Sequence, residues 1–387
     1  MTRLAKAGTL AGVSRQARFT FYEFFAGGGM ARTGLGDGWA CVFANDFDQA
    51  KAAAYLANFG GEELTPGDVW DLDVRSLPGR ADLAWASSPC QDLSLAGARR
   101  GLAGQRSSAF WGFWRLMEQL AAEDRAPRAI GIENVTGLMS SHGGADFTAL
   151  CGALSALGYR FGALEVDAAM FVPQSRPRLF VLAVRDGAPA GGGPGGFHGP
   201  AVMKAFERLP EALKARWVWW RVPPPPRSNA ALADVLEPDE DVRWLPEAET
   251  LRLVSLMGPL HRARLEGFRL TEGRHVGTAF RRTRIEAGHR VQRAEVRFDG
   301  IAGCLRTPTG GSSRQFLVLV ESGEVRARLL TAREAARLMG LPDDYRLPGP
   351  TTAALHLTGD GVVAPVVRHL AAHVLEPVLR GEDRAAA

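Results

Sequence analysis

The stretch Phe19–Leu35, FTFYEFFAGGGMARTGL, reads as a short β-strand, a glycine turn and the opening of a helix. The β-rich run Phe19–Phe25 ends where the glycines begin, and glycine lets a backbone turn sharply and approach a ligand that a side chain would block. Asp46 stands nineteen residues after Gly27, just past a second short strand at Ala40–Ala44. Nucleoside-binding α/β folds place an acid at that point for the ribose hydroxyls. Asp68, in PGDVW, would follow a third strand, within reach of an adenine amine. A glycine turn alone serves equally to join a strand to a helix; two acids at successive strand ends shift the reading toward a bound nucleoside.

Working outward, apolar runs at Ala81–Ala86, Ala129–Ile132 and Leu179–Val184 alternate with helical stretches at Gln49–Phe59, Ser108–Ala122 and Asp146–Leu157. That alternation indicates an α/β fold with a Rossmann-like, doubly wound, mostly parallel sheet. It stops near Arg185, where AVRDGAPAGGGPGGFHGP forms a Gly/Pro-rich linker, and Pro223–Pro226 marks another break. The chain then reads as irregular and arginine-rich to about Arg328. Leu329–Met339 gives a helix with Thr331 as N-cap and Glu334 three residues on, a capping box. A last helix, Ala364–Leu379, opens with Pro365. The expected division is an α/β domain at 15–185, a smaller, irregular basic module at 186–345 and a segment at 346–387 that returns to the first.

With 387 residues, 46% of them hydrophobic, the chain can bury a sizeable core. It has no apolar run of the roughly 20 residues that cross a bilayer, and no membrane partner is expected. The N-terminal MTRLAKAGTLAGVSRQARFT lacks a sustained apolar stretch and is read as a loose leader. Cys41, Cys90, Cys151 and Cys304 form no C-x-x-C pair, so neither a disulfide framework nor a zinc site is expected, and a reducing bacterial cytosol fits. The formal net charge is only +4, but arginines crowd between Arg262 and Arg297 with few acids among them. Such a block can follow a phosphate backbone, or simply be a solvated surface.

Three further segments carry chemistry. SSPCQDLS, residues 87–94, puts Cys90 in a polar loop at a strand's carboxyl end, where open α/β sheets act on ligands. A thiolate there is a nucleophile; taken alone, Cys90 could equally be an incidental loop cysteine. GIENV, residues 131–135, sets Glu133 at another strand end, as an acid, a base, a base-edge reader or a plain ion-pair partner. In VPQSRPRLFVLAV, residues 172–184, Arg176 and Arg178 alternate into a strand, so they project to one face and can share an anionic or carbonyl target. From spacing alone the nucleoside site fits NAD and S-adenosylmethionine alike.

In order, FFAGGGM, PCQDLS, ENV, PQSRPR, LTAREAARLMGLPDDY and GDGVVAPVV resemble the DNA cytosine-5 methyltransferase family of bacterial restriction-modification type. The likeness covers about 19–185 and 303–380 and omits about 186–300, where that family keeps its target-recognition region. It implies a class I S-adenosylmethionine-dependent methyltransferase. Phe25, Gly27 and Gly29 would surround the cofactor, Asp46 and Phe47 would hold ribose and adenine, and Asp68 the adenine amine, with Val69, Pro89, Asp360 and Val362 completing the site. Cys90 would be the nucleophile, with Glu133, Arg176 and Arg178 around the target cytosine. Gln91, Arg106 and Ser107 would touch DNA, the last two in the loop GQRSSAF that closes over the cysteine. Two departures stand out: Met30 where the family turn has a further glycine, and Asp360 where it has asparagine.

The resemblance implies attack of Cys90 on cytosine C6, which makes C5 nucleophilic. Glu133 would bond N3 and the exocyclic amine, and Arg178 would bond O2 as charge develops. The cytosine must leave the stack for this. RTPTGGSSRQ, Arg306–Gln315, with Thr307 and Arg314, suits base edges, though an ordinary loop fits as well. The expected partner is double-stranded DNA, met by a monomer, with a cognate restriction endonuclease or phage-defence proteins as candidate companions. An RNA cytosine methyltransferase, a silent DNA-binding regulator and a nicotinamide oxidoreductase remain as alternatives.

Overall fold

The computed structural model describes residues 17–89, 109–188, 192–226, 231–307 and 314–381. Cys90, Gln91, Arg106 and Ser107 lie outside the described residues.

Seven strands form the main sheet: β1 (Phe19–Phe24), β2 (Trp39–Asp46), β3 (Leu64–Pro66), β4 (Leu83–Ser87), β5 (Ala129–Asn134), β6 (Arg160–Asp167) and β7 (Pro177–Val184). Their order is β3-β2-β1-β4-β5-β7-β6. All neighbours are parallel except those of β7, which runs antiparallel to both β5 and β6. The strand order reverses direction between β1 and β4. In open sheets of this kind ligands bind outside the carboxyl ends of the strands at that reversal. Here those ends are Phe24 and Ser87.

Alternation along each strand feeds two cores. Phe19 and Phe21 of β1, Leu83 and Trp85 of β4, and Phe180 and Leu182 of β7 face one side. Tyr22, Phe24, Ala84, Ile130, Ile132 and Val181 face the other. The second side is covered by α3 (Ala109–Ala122) and α4 (Ala145–Ala156). α3 buries Phe110, Phe113, Trp114, Leu116, Met117 and Leu120, at about 1.5–3 kcal/mol for each large apolar side chain removed from water. The first side carries α1 (Met30–Leu35) and the C-terminal helices. A Cβ on Gly34 would come within 2.6 Å of Val367 Cβ, so glycine is what lets Ala364–Leu370 lie against α1.

β6 is absent from the sequence reading. Its Gly162 sits under the Val218 carbonyl and the Trp220 indole, where no Cβ fits. Residues beyond 186 also pack against the main sheet. Val218 N–H donates to Phe161 O at 2.7 Å, and Phe197, Val202, Trp217 and Trp220 are buried in the main-sheet cores. Residues before 345 do so as well. The helix Ala332–Leu338, with Thr331 and Glu334 in a reciprocal capping box, buries Ala335, Ala336 and Leu338 in the first core. Glu334 also holds Arg328 in a fully buried pair, Nη1 to Oε2 at 2.7 Å.

Between these boundaries the chain is not irregular. β8 (Arg274–Glu286), β9 (His289–Arg297), β10 (Phe316–Glu321) and β11 (Glu324–Leu329) form an antiparallel sheet ordered β11-β10-β8-β9, with its own core around Leu253, Leu265, Val296 and Val318. Two-residue turns join its hairpins. Ala287 (φ 47°) with Gly288 (φ 79°), and Ser322 (φ 51°) with Gly323 (φ 78°), both carry the paired positive φ of a type I′ turn.

Thr351–Arg380 is the one helical run among the described residues long and apolar enough to cross a membrane by composition, and 67% of its most apolar window is buried in the protein's own core.

Candidate active site

A cavity of about 800 Å³ opens at the β1/β4 reversal. One wall is the glycine turn. Phe25 adopts a left-handed φ of 56°, strain of about 1–2 kcal/mol for a residue with a side chain. Gly27 (φ 56°) has no described residue within 4 Å of where a Cβ would stand, and it lines the cavity. Gly28, which the sequence reading passed over, also lines it; a Cβ there would collide with the Tyr345 hydroxyl, which donates to Gly28 O at 2.6 Å. Gly29 is not in this wall. It faces α2 (Gln49–Phe59), where a Cβ would strike the Phe59 ring. Met30, where a further glycine was expected, is buried and fits because it stands over Gly361, which has no side chain.

Asp46 ends β2 beside this turn. Its Oδ2 accepts from Gly27 N–H at 2.7 Å and its Oδ1 from Asp48 N–H at 2.8 Å. Two backbone bonds leave a carboxylate with further acceptor sites. Phe47 follows, 77% exposed, with its ring at the cavity wall. Asp68 and Val69 are not wall residues. Asp68 Oδ1 caps the short turn Val69–Asp71 through Trp70 N–H at 3.0 Å, and Val69 packs in the second core. Val362, Asp360 and Pro89, the residue before Cys90, do line the cavity. So does Glu23, which the sequence reading missed. It is buried at the end of β1, its Oε2 has no hydrogen-bond partner among the described residues, and burial pushes its carboxyl up to about 8.

At the far end stand Glu133 and Arg178, on one sheet face because Glu133 pairs with Phe180, two residues along β7. Arg178 Nε lies 3.1 Å from Glu133 Oε1. Burial raises the Glu133 carboxyl above the ordinary range, opposed by the Arg178 and Arg176 charges. Asn134, next in sequence, points the other way and clamps the loop leading to Cys90. Its Nδ2 donates to Ser88 Oγ at 3.0 Å and to Ser88 O at 3.2 Å.

Arg176 also lines the cavity but is committed elsewhere. Its Nη1 donates to Leu305 O at 2.9 Å, and its Nη2 to Gly359 O and Gly361 O, each at 2.8 Å. The pair of arginines therefore shares no single carbonyl target. Arg176 ties the C-terminal turn to the sheet, and Arg178 alone pairs with Glu133. Gln174 does similar work, donating to Leu338 O at 2.8 Å and accepting from Leu305 N–H at 3.0 Å.

Arg306 and Thr307 reach the cavity wall, and Arg314 is exposed nearby. Gln315 is buried, and its amide, oriented to satisfy its neighbours, accepts from Gly303 N–H at 2.8 Å and from Thr278 Oγ1 at 3.0 Å. An amide so bound has no edge left for a base. Cys41, Cys151 and Cys304 are free thiols.

A cavity with a glycine turn and a ribose-type acid at one end, and a buried carboxyl–guanidinium pair at the other, can hold a nucleoside cofactor beside a hydrogen-bonding heterocycle. Comparison with known proteins gives that geometry a family. Residues 19–376 match the C-5 cytosine-specific DNA methylases. Type II methyltransferase M.NlaX of Neisseria lactamica is 26% identical over 95% of this chain and 99% of its own length. M.HhaI of Haemophilus parahaemolyticus is 25% identical over 92% and 93%. The crystal structure of S. pombe Dnmt2 methyltransferase superposes with a TM-score of 0.60 at 17% identity, covering 93% of this chain and 99% of that one, a likeness of fold. The chain belongs to the C-5 cytosine-specific DNA methylase family and is a DNA cytosine-5-methyltransferase.

Proposed function

We propose that the protein methylates C5 of a cytosine within a specific duplex sequence, after turning the base out of the helix, through a covalent bond between Cys90 and C6. The observation that carries this reading is the shared cavity, with Asp46 and Gly27 at one end, Glu133 and Arg178 at the other, and Pro89 in its wall. A stacked cytosine cannot be approached from both faces. Extruding it costs a few kcal/mol, offset by pocket and phosphate contacts.

S-adenosylmethionine is the methyl donor the family implies, and when bound it supplies the methyl group for C5. The residues present suit it. Asp46 keeps acceptor capacity for a ribose diol, the exposed Phe47 ring offers an apolar face, and the orphaned Glu23 Oε2 is a buried polar atom awaiting a partner.

In this reading the Cys90 thiolate adds to C6 and the ring electrons move toward C5. Glu133, its carboxyl favoured in the protonated form by burial, donates to N3 and accepts from the exocyclic amine. Arg178 offers its remaining N–H groups to O2 as negative charge grows there. Once C5 carries its methyl group, a base takes the C5 proton, the C6–S bond breaks, and the thiolate returns. Asn134 acts on Ser88 and so on the approach of the nucleophile's loop. The Type II relatives support a place in a restriction-modification or phage-defence system.

Bisulfite sequencing of host DNA with and without the gene tests the proposal. One sequence context is expected to become protected from conversion. Label transferred to tRNA but not to duplex DNA would overturn it.

A further inference from the structure

The last helices carry two histidines that methyl transfer does not use. Ala364–Leu370 runs into a π-helical turn, Ala371–Leu375, and then into the helix Glu376–Arg380. His369 and His373 stand four residues apart across the first join, with ring centres 4.4 Å from each other. The π turn has a covalent cause. Pro377 has no N–H to give the His373 carbonyl, four residues back. Glu376 N–H donates instead to Ala371 O, five residues back. Turns of this kind recur at functional sites.

The His369 ring is held from several sides. Phe171 meets it edge-on at 5.2 Å between centres, and Phe197 lies at 6.4 Å. Its Nε2 bonds the Pro223 carbonyl at 2.8 Å. A carbonyl only accepts, so Nε2 carries the proton, and in the neutral ring Nδ1 keeps a free lone pair. A metal-bound histidine characteristically gives its other N–H to a carbonyl or carboxylate, which fixes its tautomer and orientation. His369 already makes that bond. His373 is exposed, so solvent reaches the pair. Arg368, the adjacent cation, is paired with Glu376.

We infer that His369 and His373 together bind one divalent metal ion of the kind imidazole favours, such as Ni(II), Cu(II) or Zn(II). Two histidines four residues apart on one helix face are a recurrent metal-binding pair. Nitrogens that share one ion at about 2.0–2.1 Å stand about 3 Å apart, a spacing that these two rings can present. Among the described residues no third His, Cys, Asp or Glu joins them, so water fills the remaining positions and the ion exchanges with solvent. Binding draws electron density from the His369 ring and makes Nε2–H a stronger donor to Pro223. The ion thereby fastens the C-terminal helices to the proline stretch 223–226, which follows the buried Trp220.

The test titrates the full-length protein with Ni(II), followed by calorimetry and by the melting temperature. Ni(II) is the probe because imidazole suits it, whereas thiolates also draw Zn(II). The wild type takes up one ion per chain, and its melting temperature rises with Ni(II) concentration, as for any ligand bound only by the folded state. His373→Ala removes an exposed side chain, keeps the ion-free melting temperature and binds Ni(II) at least about 10-fold more weakly. His369→Gln retains a donor for Pro223, loses the ligand and shows the same weakening. Wild-type affinity for Ni(II) in the variant carrying both substitutions overturns the inference. So does a wild-type protein that takes up no Ni(II).

Discussion

Lys51 Nζ lies 2.6 Å from Asp360 Oδ2, joining α2 to the end of the helix Thr351–Asp360, 309 residues further along the chain, at the rim of the cavity. This pair gives Asp360 a local reason: the acid meets a lysine across the mouth of the cofactor end. Asp360 is 46% exposed, so the pair is worth at most about 1 kcal/mol. Lys51→Ala is expected to weaken S-adenosylmethionine binding by no more than about fivefold, with kcat at saturating cofactor unchanged. Asp360→Asn, which keeps an acceptor for Lys51, should change it less. Isothermal calorimetry measures both.

Arg176 and Arg178 should separate cleanly under mutation. Arg176→Ala removes three hydrogen bonds to the carbonyls of Leu305, Gly359 and Gly361 and empties a buried site. Bonds from charged donors are worth about 1.5–3 kcal/mol each, so a loss of at least about 3 kcal/mol of folding stability is expected by denaturant titration. Arg178→Lys keeps a cation near Glu133 but loses the planar fork. It should leave the melting temperature near the wild-type value and lower kcat on the order of 100-fold.

Glu23 sets a pH dependence. Its folded value of about 8 lies above the ordinary 4.5 because burial penalises the charge. The native state therefore keeps a proton that the unfolded chain releases. That contribution is whole below about pH 4.5 and is lost as the pH rises through about 8. Cofactor-free protein should lose stability from this group between pH 5 and 9, and Glu23→Gln should flatten the curve, with a gain of roughly 2–4 kcal/mol at the alkaline end. Urea titrations across pH measure it. A variant curve parallel to that of the wild type would contradict the assignment.

Gly28→Ala should fail for a local reason. The added methyl group collides with the Tyr345 hydroxyl and breaks its 2.6 Å bond to Gly28 O. Weakened cofactor binding is expected by calorimetry, and Tyr345→Phe, which removes the colliding oxygen, should restore part of it in the double variant.

The first half of the fold was legible in the sequence because strands such as Phe19–Phe24 and Ala129–Asn134 are short apolar runs between amphipathic helices. β6 was not, since Gly162 interrupts its apolar pattern for the sake of Val218 and Trp220, more than fifty residues away, and Glu165 does so beside Gly199. The second sheet hid for another reason. Beyond Arg281 both faces of β8 are solvent-facing, so no alternation marks that part as a strand. Glu133 and Asp46 were readable from their places at strand ends. The commitment of Arg176 was not, because its carbonyl partners lie 129 to 185 residues away and no local spacing reports them. Gln315 misled for the same reason: its polar head is spent on Gly303 and Thr278.

The most direct measurement is to trap the covalent step. In duplex DNA carrying 5-fluorocytosine at the target, no proton can leave C5, so the bond between enzyme and base cannot be released. Mass spectrometry of the digested complex should find the pyrimidine attached to the peptide bearing Cys90, and no adduct with Cys90→Ser. A Cys90→Ser protein that methylates ordinary duplex DNA at the wild-type rate would contradict the account.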